Sequence, residues 1–136
     1  MLESIMEEIV NTYVSFIKEF EAILKHKYSI KENPRYFAGT LFDKKGIIDN
    51  YRYQFHGAGC RIEKDDVICE YDSIFSKGNE IDFSLWKITT FVETHPKYKI
   101  LNLSNEFIEQ ELYKLIQKEM LSFQIINNCV FQVYQI

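Results

Sequence analysis

The chain has 136 residues, enough for one domain, with 46% hydrophobic residues, 15% aromatic residues and a formal charge of −4. Such a composition can build a packed core and excludes a disordered chain, and the mild acidity argues against nonspecific binding to nucleic acid or to an anionic membrane. No apolar run reaches the ~20 residues of a membrane-spanning helix, and the opening Met1-Leu2-Glu3-Ser4 lacks the basic region of a signal peptide, so the expectation is a cytoplasmic protein.

The first predicted element is a helix. Leu2, Met6, Ile9, Tyr13, Phe16, Phe20 and Ile23 recur at steps of four and three, and Ile5, Val10, Ile17 and Leu24 widen the stripe. Glu3, Glu7 and Glu8 near its start and Lys25, His26 and Lys27 near its end suit the helix dipole. The stripe is wide enough to serve the core and still offer part of itself to a partner. Asn33-Pro34 then breaks the helix, Tyr36 to Phe42 reads as a short strand or turn, and Asp43-Lys44-Lys45-Gly46 reads as a turn.

The sheet comes next. Tyr51, Tyr53 and Phe55 are apolar on odd positions, whereas after Gly57-Ala58-Gly59 the apolar positions are even, Cys60 and Ile62. A strand keeps one face buried only while its period of two holds, so this phase change predicts a β-bulge at the glycines. With Asp65-Asp66 as a hairpin loop, Lys64 would face Val67, Ile62 would face Cys69, Arg61 would face Glu70 and Cys60 would face Tyr71. That frame puts apolar pairs on one side and opposite charges on the other. Neither loop residue is Gly, which leaves a loop one residue longer as the alternative. Strands are thus expected near Tyr51 to Glu63 and Val67 to Phe75.

Asp82 is the predicted N-cap of a helix from Phe83 to about Thr94, ended by His95-Pro96. Leu85, Ile88 and Val92 form its apolar line, with Trp86 and Phe91 flanking. Ser104 is the next predicted N-cap, with Leu103 and Ile108 at staple spacing, for a helix running to about Phe123. Asn127-Asn128 breaks that helix, and Cys129 to Ile136 is β-rich. The predicted fold is a single α+β domain over residues 1–136: a small antiparallel sheet with a bulged hairpin, packed against about three helices.

Chemistry is harder to place. Cys60, Cys69 and Cys129 are odd in number, fall in apolar patterns and stand at no metal-ligand spacing, so they read as reduced, buried thiols. Cys60 and His56 lie four apart, with Glu70 or Asp72 across the hairpin, which is the material of a thiolate–imidazole pair. The alternation turns Cys60 inward and His56 outward, against that pairing. His26, His56 and His95 fall in different elements and form no zinc motif, so no metal or other cofactor is expected. Gly57-Ala58-Gly59 leads into no helix N-terminus, which a phosphate cradle requires. The remaining feature is acidic. Glu63, Asp65, Asp66, Glu70 and Asp72 gather within ten residues, with Arg61 and Lys64 the nearby bases. Such a hairpin either is a solvated edge that deters aggregation or offers a docking surface to a cationic protein.

The run Tyr53-Gln54-Phe55-His56-Gly57-Ala58-Gly59-Cys60, followed by Glu70-Tyr71-Asp72 and by Asp82-Phe83 leading to Trp86 and Phe91, resembles the bacterial domain of unknown function 6896. Its core is an aromatic strand into His-Gly-x-Gly-Cys, an acidic-aromatic second strand and a helix carrying a tryptophan. The resemblance covers Tyr51 to Phe91, and Glu70-Tyr71-Asp72 departs from the Asp-Phe-Asp usual in that family. It implies no catalytic residue. It implies a context, because small orphan proteins of this kind often act as immunity proteins beside secreted toxins, as in contact-dependent growth inhibition.

Three functions follow as expectations. The first is an immunity protein, without enzymatic activity, that binds a basic toxin domain such as a nuclease through Glu63, Asp65, Asp66, Glu70 and Asp72. Nuclease toxins are basic because they bind phosphate backbones, so an acidic inhibitor matches them. The second is a small cysteine-dependent enzyme using Cys60 and His56. The third is a homo-oligomeric regulatory module, a homodimer in its simplest form, with the first helix as its seam.

Overall fold

The computed structural model describes residues 5–27, 45–56, 59–72, 80–118, 123–125 and 130–134. Helix α1 (Ile5–Lys27) is followed by a four-stranded antiparallel meander, β1 (Lys45–Ile48), β2 (Tyr51–His56), β3 (Gly59–Lys64) and β4 (Val67–Tyr71). Strand β5 (Glu80–Ser84) runs straight into α2 (Leu85–Thr94), the single turn α3 (Pro96–Lys99) and α4 (Asn105–Gln117). Strands β6 (Phe123–Ile125) and β7 (Val130–Tyr134) complete a second sheet with the order β5-β7-β6. The α+β class is as expected, with more strands than expected and in two sheets.

The phase change at the glycines has a different cause from the one predicted. Strands β2 and β3 pair antiparallel, with His56 opposite Gly59 and Phe55 opposite Cys60, so the chain reverses where a bulged continuous strand was expected. Partner numbers across a two-residue loop have an odd sum, so each reversal moves the buried face from odd to even numbers or back. The β3–β4 hairpin has the predicted register throughout, including Ile62 opposite Cys69 and Arg61 opposite Glu70. Its loop residues Asp65 and Asp66 have φ of 51° and 68°, the mirror-image turn that matches strand twist. Asp49 and Asn50 make the same turn between β1 and β2, with φ of 46° and 70°. Lys45 and Gly46, expected in a turn, belong to β1, opposite Gln54 and Tyr53.

The buried face of the meander carries Tyr51, Tyr53, Phe55, Cys60, Ile62, Val67, Cys69 and Tyr71. Helix α1 lies on it, with the Phe20 ring 5.5 Å from Tyr51 and 5.6 Å from Tyr53. Tyr13 joins the layers: its ring meets Phe83 at 5.2 Å and Phe91 at 5.3 Å, and its hydroxyl donates to the Glu70 carbonyl. Most of the α1 stripe is therefore core, with Phe16 half-buried against Tyr51.

Helix α2 begins at Leu85, and its N-cap is Ser84; Asp82, expected there, is a β5 residue opposite Gln132. A strand that turns into a helix without a loop hides its boundary from local signals. The last turn of α2 covers the open edge of β4, where Thr94 Oγ1 accepts from the Ile68 N–H at 2.9 Å. Ser104 caps α4 as expected, accepting from the Phe107 N–H at 3.0 Å. That helix ends at Gln117, short of the expected Phe123, which pairs with Val133 in the second sheet. The apolar period alone does not mark the end of α4, because the pairing of Phe123 is with the distant β7. The final strand is as expected. Leu2 and Asn33-Pro34, Tyr36 to Phe42, Phe75, and Asn127 to Cys129 lie outside the described residues.

Candidate functional site

The outer face of the meander is set by its register. One row runs Lys45, Gln54, Arg61, Glu70 across the four strands, and the next runs Ile47, Arg52, Glu63, Ile68. Alternation therefore places Arg61, Glu63 and Glu70 together on the face opposite α1. Arg61 Nη1 donates to Glu70 Oε1 at 3.1 Å, and Nη2 donates to Glu63 Oε1 at 3.0 Å. Partial burial alone would lower the Arg61 pKa, but these two carboxylates outweigh it and hold the guanidinium even more firmly charged.

Asp72, just past β4, pairs with Lys87 in the first turn of α2, and its backbone N–H donates to the Asp82 carbonyl at 2.6 Å. The five acids of the sequence reading thus divide. Glu63, Glu70 and Asp72 face resident bases, while Asp65 and Asp66 are exposed at the hairpin tip and make no ion pair among the described residues. Lys64 points to the other face, its Nζ 4.5 Å from the centre of the Tyr51 ring.

Sequence reasoning missed Asp49. The two mirror-image turns lie at the same end of the meander, so exposed Asp49 joins Asp65 and Asp66 there. A cleft of about 370 Å³ beside them is lined by Ile47, Asn50, Arg52, Glu63 and Lys64 as well as the two β3–β4 loop acids. The available signal was the Asp49-Asn50 pair between Ile48 and Tyr51, a turn dipeptide between strand residues.

A second cleft, about 430 Å³, opens where β3 and β4 meet α2. His56, Cys60 and Arg61 come to it from the meander, Glu70 and Asp72 from β4 and its end, Trp86 and Lys87 from α2. Glu70 Oε2 and Asp72 Oδ2 are shielded from water and have no hydrogen-bond partner among the described residues. Trp86 is 58% exposed, and Lys87 Nζ stands 5.4 Å from its ring centre.

The structure brings His56 and Cys60 to one cleft but not into a reactive pair. His56 is exposed, whereas Cys60 is 3% exposed among apolar side chains. Burial raises the Cys60 thiol far above its ordinary value, and the nearby Glu21 pushes the same way. A thiol held protonated is a poor nucleophile and a poor metal ligand. Among the described residues no group of His, Cys, Asp and Glu is placed to hold a metal ion, and no helix is long and apolar enough to cross a membrane.

A family model described as a domain of unknown function, DUF6896, matches residues 6–135. The chain belongs to the DUF6896 family. Searches of curated proteins and of solved structures gave no match. In this DUF6896 chain five of the residues that carried the resemblance, His56, Cys60, Glu70, Asp72 and Trp86, line one cleft although they come from four elements and the end of β4.

Proposed function

We propose that this DUF6896 protein is an immunity protein, a non-enzymatic cytoplasmic inhibitor that binds a cognate interbacterial toxin domain and neutralises it. The observation that supports this reading best is the acidic end of the meander, where Asp49, Asp65 and Asp66 are exposed on mirror-image turns. Fixed negative charge on an exposed edge speeds encounter with a basic protein and sets its orientation. A nuclease toxin supplies the complementary basic surface. The buried, protonated Cys60 weighs against the cysteine-enzyme reading, and the use of α1 in the core weighs against an α1-seamed homodimer.

The test is protection of cells producing the toxin domain encoded beside this chain. Asn tolerates the left-handed turn conformation as well as Asp does, so Asp49→Asn/Asp65→Asn/Asp66→Asn removes charge and keeps the turns. The proposal expects unchanged circular dichroism, a slower association rate and weakened protection. Full protection at undiminished affinity by the triple variant would remove the acidic end from the interface.

A further inference from the structure

The cleft between the meander and α2 holds more hydrogen-bond acceptor than its own bases use. Two carboxylates line it, Glu70 and Asp72, against two cations, Arg61 and Lys87; Glu63, outside the lining, also pairs with Arg61, so the ion-pair network as a whole has one negative charge over. Each base takes a single oxygen of each acid it meets: Arg61 meets Glu70 Oε1, and Lys87 meets Asp72 Oδ1. The second oxygens, Glu70 Oε2 and Asp72 Oδ2, have no hydrogen-bond partner among the described residues. An unpaired, shielded acceptor is costly, so a donor that reaches it is bound with the recovered desolvation energy.

Trp86 defines what kind of donor fits. Its indole is 58% exposed, a large apolar face left in water beside a charged cleft. Lys87 Nζ already sits 5.4 Å from that ring while pairing with Asp72, so the site holds one cation by the combination of ring face and carboxylate. A guanidinium satisfies all of these features together. It is planar and stacks on an indole, it carries one positive charge, and its fork of donors reaches two carboxylate oxygens at once, which an ammonium does with poorer geometry.

We propose that this cleft receives an arginine side chain of the partner protein, stacked on Trp86 and donating to Glu70 Oε2 and Asp72 Oδ2. The inference rests on the reading of the chain as a protein-binding module and names the chemistry of one partner residue.

Trp86 is the only tryptophan of the chain, so its emission reports entry into the cleft directly. The whole protein is titrated with N-acetyl-arginine amide, and separately with N-acetyl-lysine amide, at matched ionic strength. The expected result is a saturable change in Trp86 emission with the arginine probe, and at least ~10-fold weaker binding of the lysine probe, which lacks the fork. The same loss is expected for the arginine probe with Asp72→Asn, or with Glu70→Gln should Asp72→Asn disturb the far-UV spectrum. Equal response to both probes, no saturable response, or full arginine binding by both variants would overturn the assignment. The probe needs no toxin, so the two proposals fail separately: a chain that protects cells and ignores the probe keeps the immunity reading and loses this cleft.

Discussion

Tyr71 donates its phenolic hydrogen to Glu21 Oε2 at 3.1 Å across the interface between β4 and α1, with the tyrosine fully buried and the glutamate 3% exposed. Lys18 Nζ lies 3.8 Å from the other carboxylate oxygen of Glu21. A charged side chain at the centre of the helix–sheet contact is retained only when its acceptors are satisfied.

Tyr71→Phe removes one hydrogen-bond donor from the buried carboxylate of Glu21. The cost expected is about 1–3 kcal/mol of unfolding free energy, read from urea midpoints at constant m-value. Glu21→Gln keeps an acceptor for Tyr71 and should cost less. A larger loss from Glu21→Gln than from Tyr71→Phe would contradict this account of the contact.

Cys60 and Cys69 are buried, and burial raises both thiols above the ordinary cysteine range. At pH 8 the folded chain should therefore expose almost no thiolate at either position. Site-resolved mass spectrometry after iodoacetamide treatment should find both sites at least ~100-fold slower than in urea-unfolded chain, in line with their protection by the fold. Rapid labelling of Cys60 in the folded protein would restore the enzyme reading with His56.

His95 gives the fold a pH dependence of known sign. Its ring packs 4.6 Å from Tyr98 and 5.3 Å from Phe91, and its Nδ1 accepts from the Lys97 N–H at 3.2 Å as the cap of α3. Partial burial lowers its pKa below the ordinary histidine value and Lys97 lowers it further, while Glu8 opposes them. The folded state thus binds its proton later than the unfolded chain does. Stability is full above the unfolded value of about 6.5 and falls as pH drops from there through the lower folded pKa. Urea midpoints measured from pH 7.5 to 5.5 should decline, and His95→Asn, which caps without titrating, should flatten the decline. An equal decline in the variant would assign the effect to other groups.

Legibility followed how local each signal was. The β3–β4 register could be read because Arg61 opposite Glu70 and Ile62 opposite Cys69 satisfy charge and burial in one frame. The turn before it was misread because glycines and a parity change serve a bulge and a two-residue reversal alike, and only pairing of His56 with Gly59 separates them. Asp82 looked like a cap because its true partners are distant: Gln132 Nε2 donates to Asp82 Oδ1 at 2.8 Å, and Gln124 Nε2 to Gln132 Oε1 at 2.8 Å. The spacing places Glu63, Asp65, Asp66 and Glu70 on one hairpin, but it does not show the base that meets Asp72. Lys87 reaches Asp72 only because α2 packs along β4, and nothing in the spacing of fifteen residues announces it.

Amide chemical-shift mapping of the labelled chain, free and bound to its toxin domain, tests the central claim most directly. The account predicts the largest shifts at Asp49, Asp65 and Asp66 and at the Trp86 indole, the two ends of one charged face. Shifts centred on α4 around Glu109 and Tyr113, with those groups unmoved, would contradict it.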